Sequence, residues 1–147
     1  YDLNVRQYCC GGLNFGYYYD TSPIICYDGV AQPDYSMDMF ESSTVPGCRA
    51  PHFWLADGRS LYDAMGSGFA LLRLAPEVDA SAFEEAAAQC GLPFTLLDVT
   101  AKEAGAAYGT KLVLVRPDQH VAWRGDALPK DTHAFVDTIR GAVMAAA

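Results

Sequence analysis

The chain has 147 residues, 51% of them hydrophobic and 19% charged, with a formal net charge of −8. That length fits one domain, or one domain plus an arm, and the apolar content supports a packed core and excludes a disordered polymer. The acidic balance excludes nucleic acid as a partner, because phosphate binding needs a basic face, and no apolar run reaches the ~18–20 residues of a membrane span.

The chain opens at Tyr1, without a signal-peptide pattern and inside a structured-looking stretch, so a fragment of a longer protein is expected. Its five cysteines are an odd number with no C-x-x-C spacing, and Cys9 and Cys10 are neighbours, a pairing badly strained for a disulfide. Reduced thiols in a cytoplasmic protein are expected. Composition changes near Pro46-Gly47. Residues 1–48 hold seven of the nine Tyr, four of the five Cys, and one Arg against six acids. Residues 49–147 hold nine basic and twelve acidic residues and both Trp. Two parts are therefore expected, an irregular aromatic-rich arm or linker over 1–48 and a folded domain over 49–147.

In the arm, 1–10 reads as the end of a helix stopped by Gly11-Gly12. Tyr17-Tyr18-Tyr19 leads to Ser22-Pro23-Ile24-Ile25, a turn and a short extended piece, and 32–45 reads as a polar linker. An aromatic segment with no core of its own must lie on another surface.

The second part is more regular. An extended run over 53–56 ends at Asp57-Gly58, a short helix covers 60–65, and Gly66-Ser67-Gly68 closes it. The nearly continuous apolar run 69–74 is a strand covered on both faces. Ser81-x-x-Glu84 reads as a capping box opening a helix that Gly91 closes. A strand follows over 94–99, a helix over 101–108, and then a hairpin with strands 112–115 and 120–124 around Arg116-Pro117-Asp118-Gln119. Asp131 or Thr132 caps a last helix with Phe135, Ile139, Ala142 and Val143 on one face. The order βαβαβα-ββα predicts an α/β, thioredoxin-like fold, a mixed central sheet with helices on both faces.

In redox-active proteins of this fold, a thiol works at the N-terminus of the helix after the second strand of this pattern, where helix N–H groups lower its pKa. Here that stretch, 74–83, holds no cysteine, and Ala80 and Phe83 stand where a peroxidase pattern after Pro76 wants a hydroxyl and a thiol. Gly109-Thr110-Lys111 lacks the proline that redox members place before the hairpin. Cys90, in a last helical turn, reads as packing. Gly66-x-Gly68 lies between a helix and a strand, the wrong order for a phosphate loop. His52, His120 and His133 fall in no catalytic motif, and solvent-facing or capping roles are expected for His120 and His133. Trp123 is expected to pack into the sheet core or onto a neighbouring domain. No catalytic, cofactor-binding or metal-binding residue is assigned.

The run Pro46-Gly47-Cys48-Arg49-Ala50-Pro51-His52-Phe53-Trp54-Leu55, with Asp57-Gly58 and Ser60-Leu61-Tyr62-Asp63, resembles the opening of a known C-terminal domain. So does the run from Leu114 to Gly125, Leu-Val-Arg-Pro-Asp-Gln-His-Val-Ala-Trp-Arg-Gly. Both are similar to the thioredoxin-like tail of flavin-dependent aromatic hydroxylases of the phenol, dichlorophenol and hydroxyphenylpropionate type. The segment from Leu13 to Tyr19 with Ser22–Ile25 resembles the chain leaving their flavin domain. The resemblance implies a parent monooxygenase that binds FAD, is reduced by NAD(P)H, and hydroxylates a phenolic ring through a flavin hydroperoxide. It places that chemistry in an N-terminal flavin domain absent here, and leaves this chain as an accessory, non-catalytic module serving packing or subunit contact, including a possible homodimer. The opening Arg49-Ala50-Pro51 with Phe53, Leu55 and Asp57-Gly58 also suits a stand-alone divergent peroxiredoxin, and a small binding or scaffold module is the third reading.

Overall fold

The computed structural model describes residues 2–142. Two short helices open it, α1 (Asp2–Cys9) and α2 (Gly11–Phe15). The expected stop at Gly11-Gly12 is instead a break at Cys10, whose φ is 37°, and the glycines begin a new helix. Gly12 is needed there because a Cβ would stand 1.5 Å from the Ser36 carbonyl oxygen and 2.5 Å from that of Met39. The 32–45 stretch thus has no helix or strand but crosses directly over α2, with the Leu13 N–H donating to the Met37 carbonyl.

The expected strand over 53–56 forms a tight hairpin outside the sheet. Trp54 bridges Ser60, the Leu55 N–H donates to the Arg59 carbonyl, and the Leu61 N–H donates to that of Phe53. Asp57 draws the turn closed by accepting from the Arg59 N–H, and the Ala56 N–H donates to the Glu103 carboxylate at 2.6 Å, so the segment's partners lie outside the four-stranded sheet. Helix α3 (Leu61–Met65) follows and ends at Gly66, with φ of 72°.

The central sheet has four strands, β1 (Phe69–Arg73), β2 (Phe94–Asp98), β3 (Leu112–Val115) and β4 (Val121–Gly125), in the order β2-β1-β3-β4. β1 and β2 are parallel, while β3 runs antiparallel to both β1 and β4. Helix α4 (Ser81–Cys90) connects the parallel pair, α5 (Ala101–Ala104) leads toward β3, and α6 (Thr132–Ile139) follows β4.

Strand periodicity sorts the core into two layers. Ala70, Leu72, Val113 and Val115 face one layer with Leu61, Met65, Val99 and Tyr108. Leu71, Leu112 and Leu114 face the other, under Phe83, Ala86 and Ala87 of α4 and Phe135, Val136 and Ile139 of α6. Helices on both faces explain the unbroken apolar run of β1. On β4 the register shifts opposite Leu114 and Val115, so Val121 joins the first layer and Trp123 packs at the second, its ring 5.2 Å from Phe135.

Three local expectations are corrected. Ala80, not Ser81, is the N-cap of α4, because Asp79 accepts from both the Ser81 N–H and its hydroxyl and so replaces the expected capping box. The helix expected over 101–108 covers 101–104 only, since Gly105 turns left-handed with φ of 70°. Ala142 lies beyond the end of α6, and Val143 falls outside the described residues. Asp131 does cap α6, accepting from the Ala134 N–H at 2.9 Å.

The arm folds onto this unit. The Gly47 N–H donates to the Val121 carbonyl at 2.8 Å, the Val121 N–H to that of Cys48 at 2.9 Å, and the Cys26 N–H to that of Ala122 at 2.8 Å. Gly47 sits at φ of 98°, and a Cβ there would stand 2.1 Å from the Tyr19 carbonyl oxygen. Gly29, at φ of 81°, has open space around it. Gly29→Ala should therefore cost only the left-handed penalty of ~1–2 kcal/mol. Gly47→Ala should cost about 2–4 kcal/mol, since backbone must move as well. Urea unfolding of the two variants measures the difference, and equal midpoints would remove the close approach as the cause.

Candidate functional site

Two places have the geometry to hold chemistry. The first is the start of α4, where this fold elsewhere carries a reactive thiol. Here Arg73, at the end of β1, makes a bidentate pair with Asp98 at the end of β2, at 2.6 and 3.0 Å, and its Nη1 donates to the Val78 carbonyl. The Arg73 guanidinium holds the Asp98 carboxyl below its usual range. Glu77 and Lys111 face each other at 3.5 Å across the exposed mouth. Lys111 is also held through its N–H, which donates to Asp126 at 3.1 Å. Ion pairs stand where a nucleophile and its neighbour would be. They give no group that attacks a disulfide or a peroxide.

The cysteines do not compensate. Burial pushes the thiols of Cys26 and Cys48 up, away from the reactive thiolate. Cys90 closes α4 half-buried beside Asp137, as packing requires, and Cys9, Cys26, Cys48 and Cys90 are free thiols. No group of three or more metal-ligating side chains occurs among the described residues.

Nor does the Gly66-x-Gly68 pair fit a flavin phosphate. Gly66 closes α3, and the space a Cβ would take at Gly68 is already filled by the Pro93 carbonyl, 2.5 Å away. The pair lets β1 pass close to the entry of β2 and leaves no cradle for a phosphate.

The second place lies where the arm meets the α/β unit. His120, expected at the surface or at a cap, is buried with 0% of its surface exposed. Asp118 folds the hairpin turn over it, and the Asp118 carbonyl accepts from Nδ1 at 3.0 Å. A carbonyl can only accept, so Nδ1 carries a proton, and the buried Nε2 has no hydrogen-bond partner among the described residues. The rings of Tyr17 and Tyr19 lie 5.0 and 4.9 Å from the imidazole and cover it. The i, i+2 spacing of those tyrosines on an extended segment was the signal in the sequence for a shared face. His133 is exposed in the first turn of α6, as expected.

Arg49 bridges His120 through the backbone and bonds Gln119 through its side chain. Its guanidinium carbon stands 5.2 Å from the ring centres of both Phe15 and Tyr62. Phe15, Phe40, Arg49, His52 and Tyr62 line a cavity of ≈ 140 Å³. His52 is fixed by Ser60 Oγ at 3.0 Å, and Tyr62 donates its hydroxyl to the Ala50 carbonyl at 2.6 Å. Sequence reasoning missed this cluster, because Phe15 and Phe40 reach it from the arm.

The sheet order and connectivity define a thioredoxin-like α/β domain with no thiol at its usual working position. The family model for the aromatic-ring hydroxylase C-terminal domain matches residues 43–143, and the chain belongs to that family. Among its relatives is the FAD-dependent monooxygenase apdD of Emericella nidulans, 33% identical over 134 residues, which cover 84% of this chain and 21% of that protein. Phenol 2-monooxygenase of a Pseudomonas species is 29% identical over 96% of this chain and 26% of its own length. The solved structure of RebC with bound 7-carboxy-K252c superposes with a TM-score of 0.83 at 38% identity, covering 94% of this chain and 26% of that one. The chain thus spans about a quarter of the proteins it matches.

Two measurements check this description. Incubated with hydrogen peroxide or insulin disulfides and a thiol reductant, the chain should turn over neither. Turnover that disappears in Cys90→Ser would instead give that thiol a catalytic role. Tyr108 offers a pH test, since burial pushes its phenol up while its hydroxyl donates to the Pro51 carbonyl at 2.7 Å. A folded value above the unfolded value of ~10 means that the stabilisation is intact below about pH 10 and is lost as pH rises beyond it. Tyr108→Phe should cost about 1–2 kcal/mol at neutral pH and flatten the loss of stability above about pH 10. Urea titrations across pH read both effects.

Proposed function

We propose that this chain is the accessory C-terminal domain of an FAD- and NAD(P)H-dependent monooxygenase that hydroxylates phenolic aromatic compounds. The observation that carries the reading is the family match over 43–143, together with relatives named as FAD-dependent and phenol monooxygenases. The domain itself is non-catalytic and serves packing against an N-terminal flavin domain of the same protein, and subunit contact in a homodimer. Residues 1–48 act as the arm leaving that flavin domain, and residues 49–147 as the thioredoxin-like unit. The free thiols of Cys9, Cys26, Cys48 and Cys90 support a cytoplasmic setting.

In this reading the flavin chemistry belongs to the N-terminal flavin domain, and the crowding of Gly68 by the Pro93 carbonyl supports it by removing one phosphate loop from this chain. The test compares the longer protein with this chain. The longer protein should purify yellow and oxidise NAD(P)H faster when a phenolic substrate is added. This chain should be colourless and leave FAD fluorescence unquenched. Saturable FAD binding by the 147 residues, or a longer protein that neither binds FAD nor consumes NAD(P)H, would overturn the proposal.

A further inference from the structure

Six arginine side chains are described, and five have a carboxylate. Arg59 pairs with Asp57, Arg73 with Asp98, Arg116 with Asp118, Arg124 with Asp28, and Arg140 with Asp137. Arg49 has no ion pair among the described residues, in a chain of formal charge −8. Its Nε is buried and lacks a hydrogen-bond partner among them. Leaving a guanidinium donor unpaired away from water is costly. Its neutral contacts, Gln119 and the rings of Phe15 and Tyr62, offset part of that cost without supplying an anion.

The cavity beside this cation is lined by Phe15, Phe40, His52 and Tyr62 as well as Arg49 itself. At ≈ 140 Å³ it has the size of a single six-membered ring. A cavity of about 150 Å³ with apolar walls takes up benzene. Ring-sized, aromatic-lined space beside one unpaired guanidinium is a recognition pattern for a flat ring carrying a negative group. An aliphatic anion would use the charge and waste the rings, and a neutral ring would leave the guanidinium unmatched.

We infer that the Arg49 cavity is a binding site for a monocyclic aromatic anion, of the benzoate or phenolate class. The ring lies among Phe15, Phe40, His52 and Tyr62, and the anionic group pairs with Arg49. The inference rests on this cavity alone and stands apart from the flavin reading, so its failure would leave that reading untouched.

The experiment is a protein-observed NMR titration with sodium benzoate, benzyl alcohol and sodium acetate as probes. It is run on this chain and on the longer protein. Benzoate should shift the signals of Phe15, Phe40, His52 and Tyr62 saturably, with benzyl alcohol and acetate each binding at least about tenfold more weakly. Arg49→Gln should reduce benzoate affinity by about tenfold or more and leave benzyl alcohol nearly unchanged. Phe40→Ala, at a side chain 40% exposed, should weaken benzoate more than acetate, and it carries the test if the Arg49 variant fails to fold. No saturable shift at these residues would overturn the inference, as would equal affinity for benzoate and benzyl alcohol. So would loss of binding in the longer protein, which would show that a carboxylate from the rest of the chain already occupies Arg49.

Discussion

The outer edge of β4 is the constraint on which the rest of the structure depends. An exposed edge strand offers unpaired N–H and C=O groups to any passing strand, and folded proteins cover or blunt such edges. Here the arm covers it, with Gly47 and Cys48 paired to Val121 and Cys26 paired to Ala122. Three hydrogen bonds worth ~1 kcal/mol each cannot order a segment whose backbone costs ~1–2 kcal/mol per residue to fix. Apolar burial supplies the remainder, through Ile25, Val45 and Cys48. Thr44, fully buried, accepts from Arg124 and donates to the Ala107 carbonyl, so its hydroxyl is used in both directions. Once the edge is covered, the neighbouring groups are placed as well. Arg49 bridges His120, the tyrosines close over the imidazole, and Asp28 meets Arg124 at 2.7 Å.

The same fold places a strand end and a helix start where a thiol would be activated, yet the chain uses that place for structure. Arg73 and Asp98 tie the ends of the parallel strands β1 and β2, and Asp79 organises the entry of α4. These are groups that hold backbone, and none of them is a nucleophile. Function on a shared fold resides in its grafted site, so a thioredoxin-like sheet with this mouth carries no expectation of thioredoxin chemistry.

What was legible in the sequence follows from how local each cause is. The strands β1 to β4 were readable because their apolar runs and the Arg116–Gln119 turn are properties of a few adjacent residues. Gly66 and Gly91 stopped helices as read. Capping shows the limit of local spelling. Ser81-x-x-Glu84 and Thr100-x-x-Glu103 look alike, but only the second closes as a reciprocal box. There the Glu103 N–H meets Thr100 Oγ1, and Glu103 accepts from the Thr100 N–H. In the first, Asp79 two residues earlier takes the Ser81 donors. His120 and Arg49 were illegible for a stronger reason. The burial of one and the missing counter-ion of the other are decided by residues from 15 to 62, brought together only by the fold.

The described surface is finished unevenly. Every exposed large hydrophobic side chain lies between Leu3 and Trp54, while the α/β unit beyond Trp54 exposes none among the described residues. Tyr8, Leu3, Met39 and Trp54 are each more than two-thirds exposed, a density of apolar surface that marks a contact face. Residues 1–48 also carry six acids against a single arginine. A cover for this face would therefore need apolar area with cations at its rim, since like charges at an interface are repulsive. Arg49 asks for the opposite charge in a ring-sized space. The two demands differ in size and in sign, so covering the arm does not of itself satisfy Arg49.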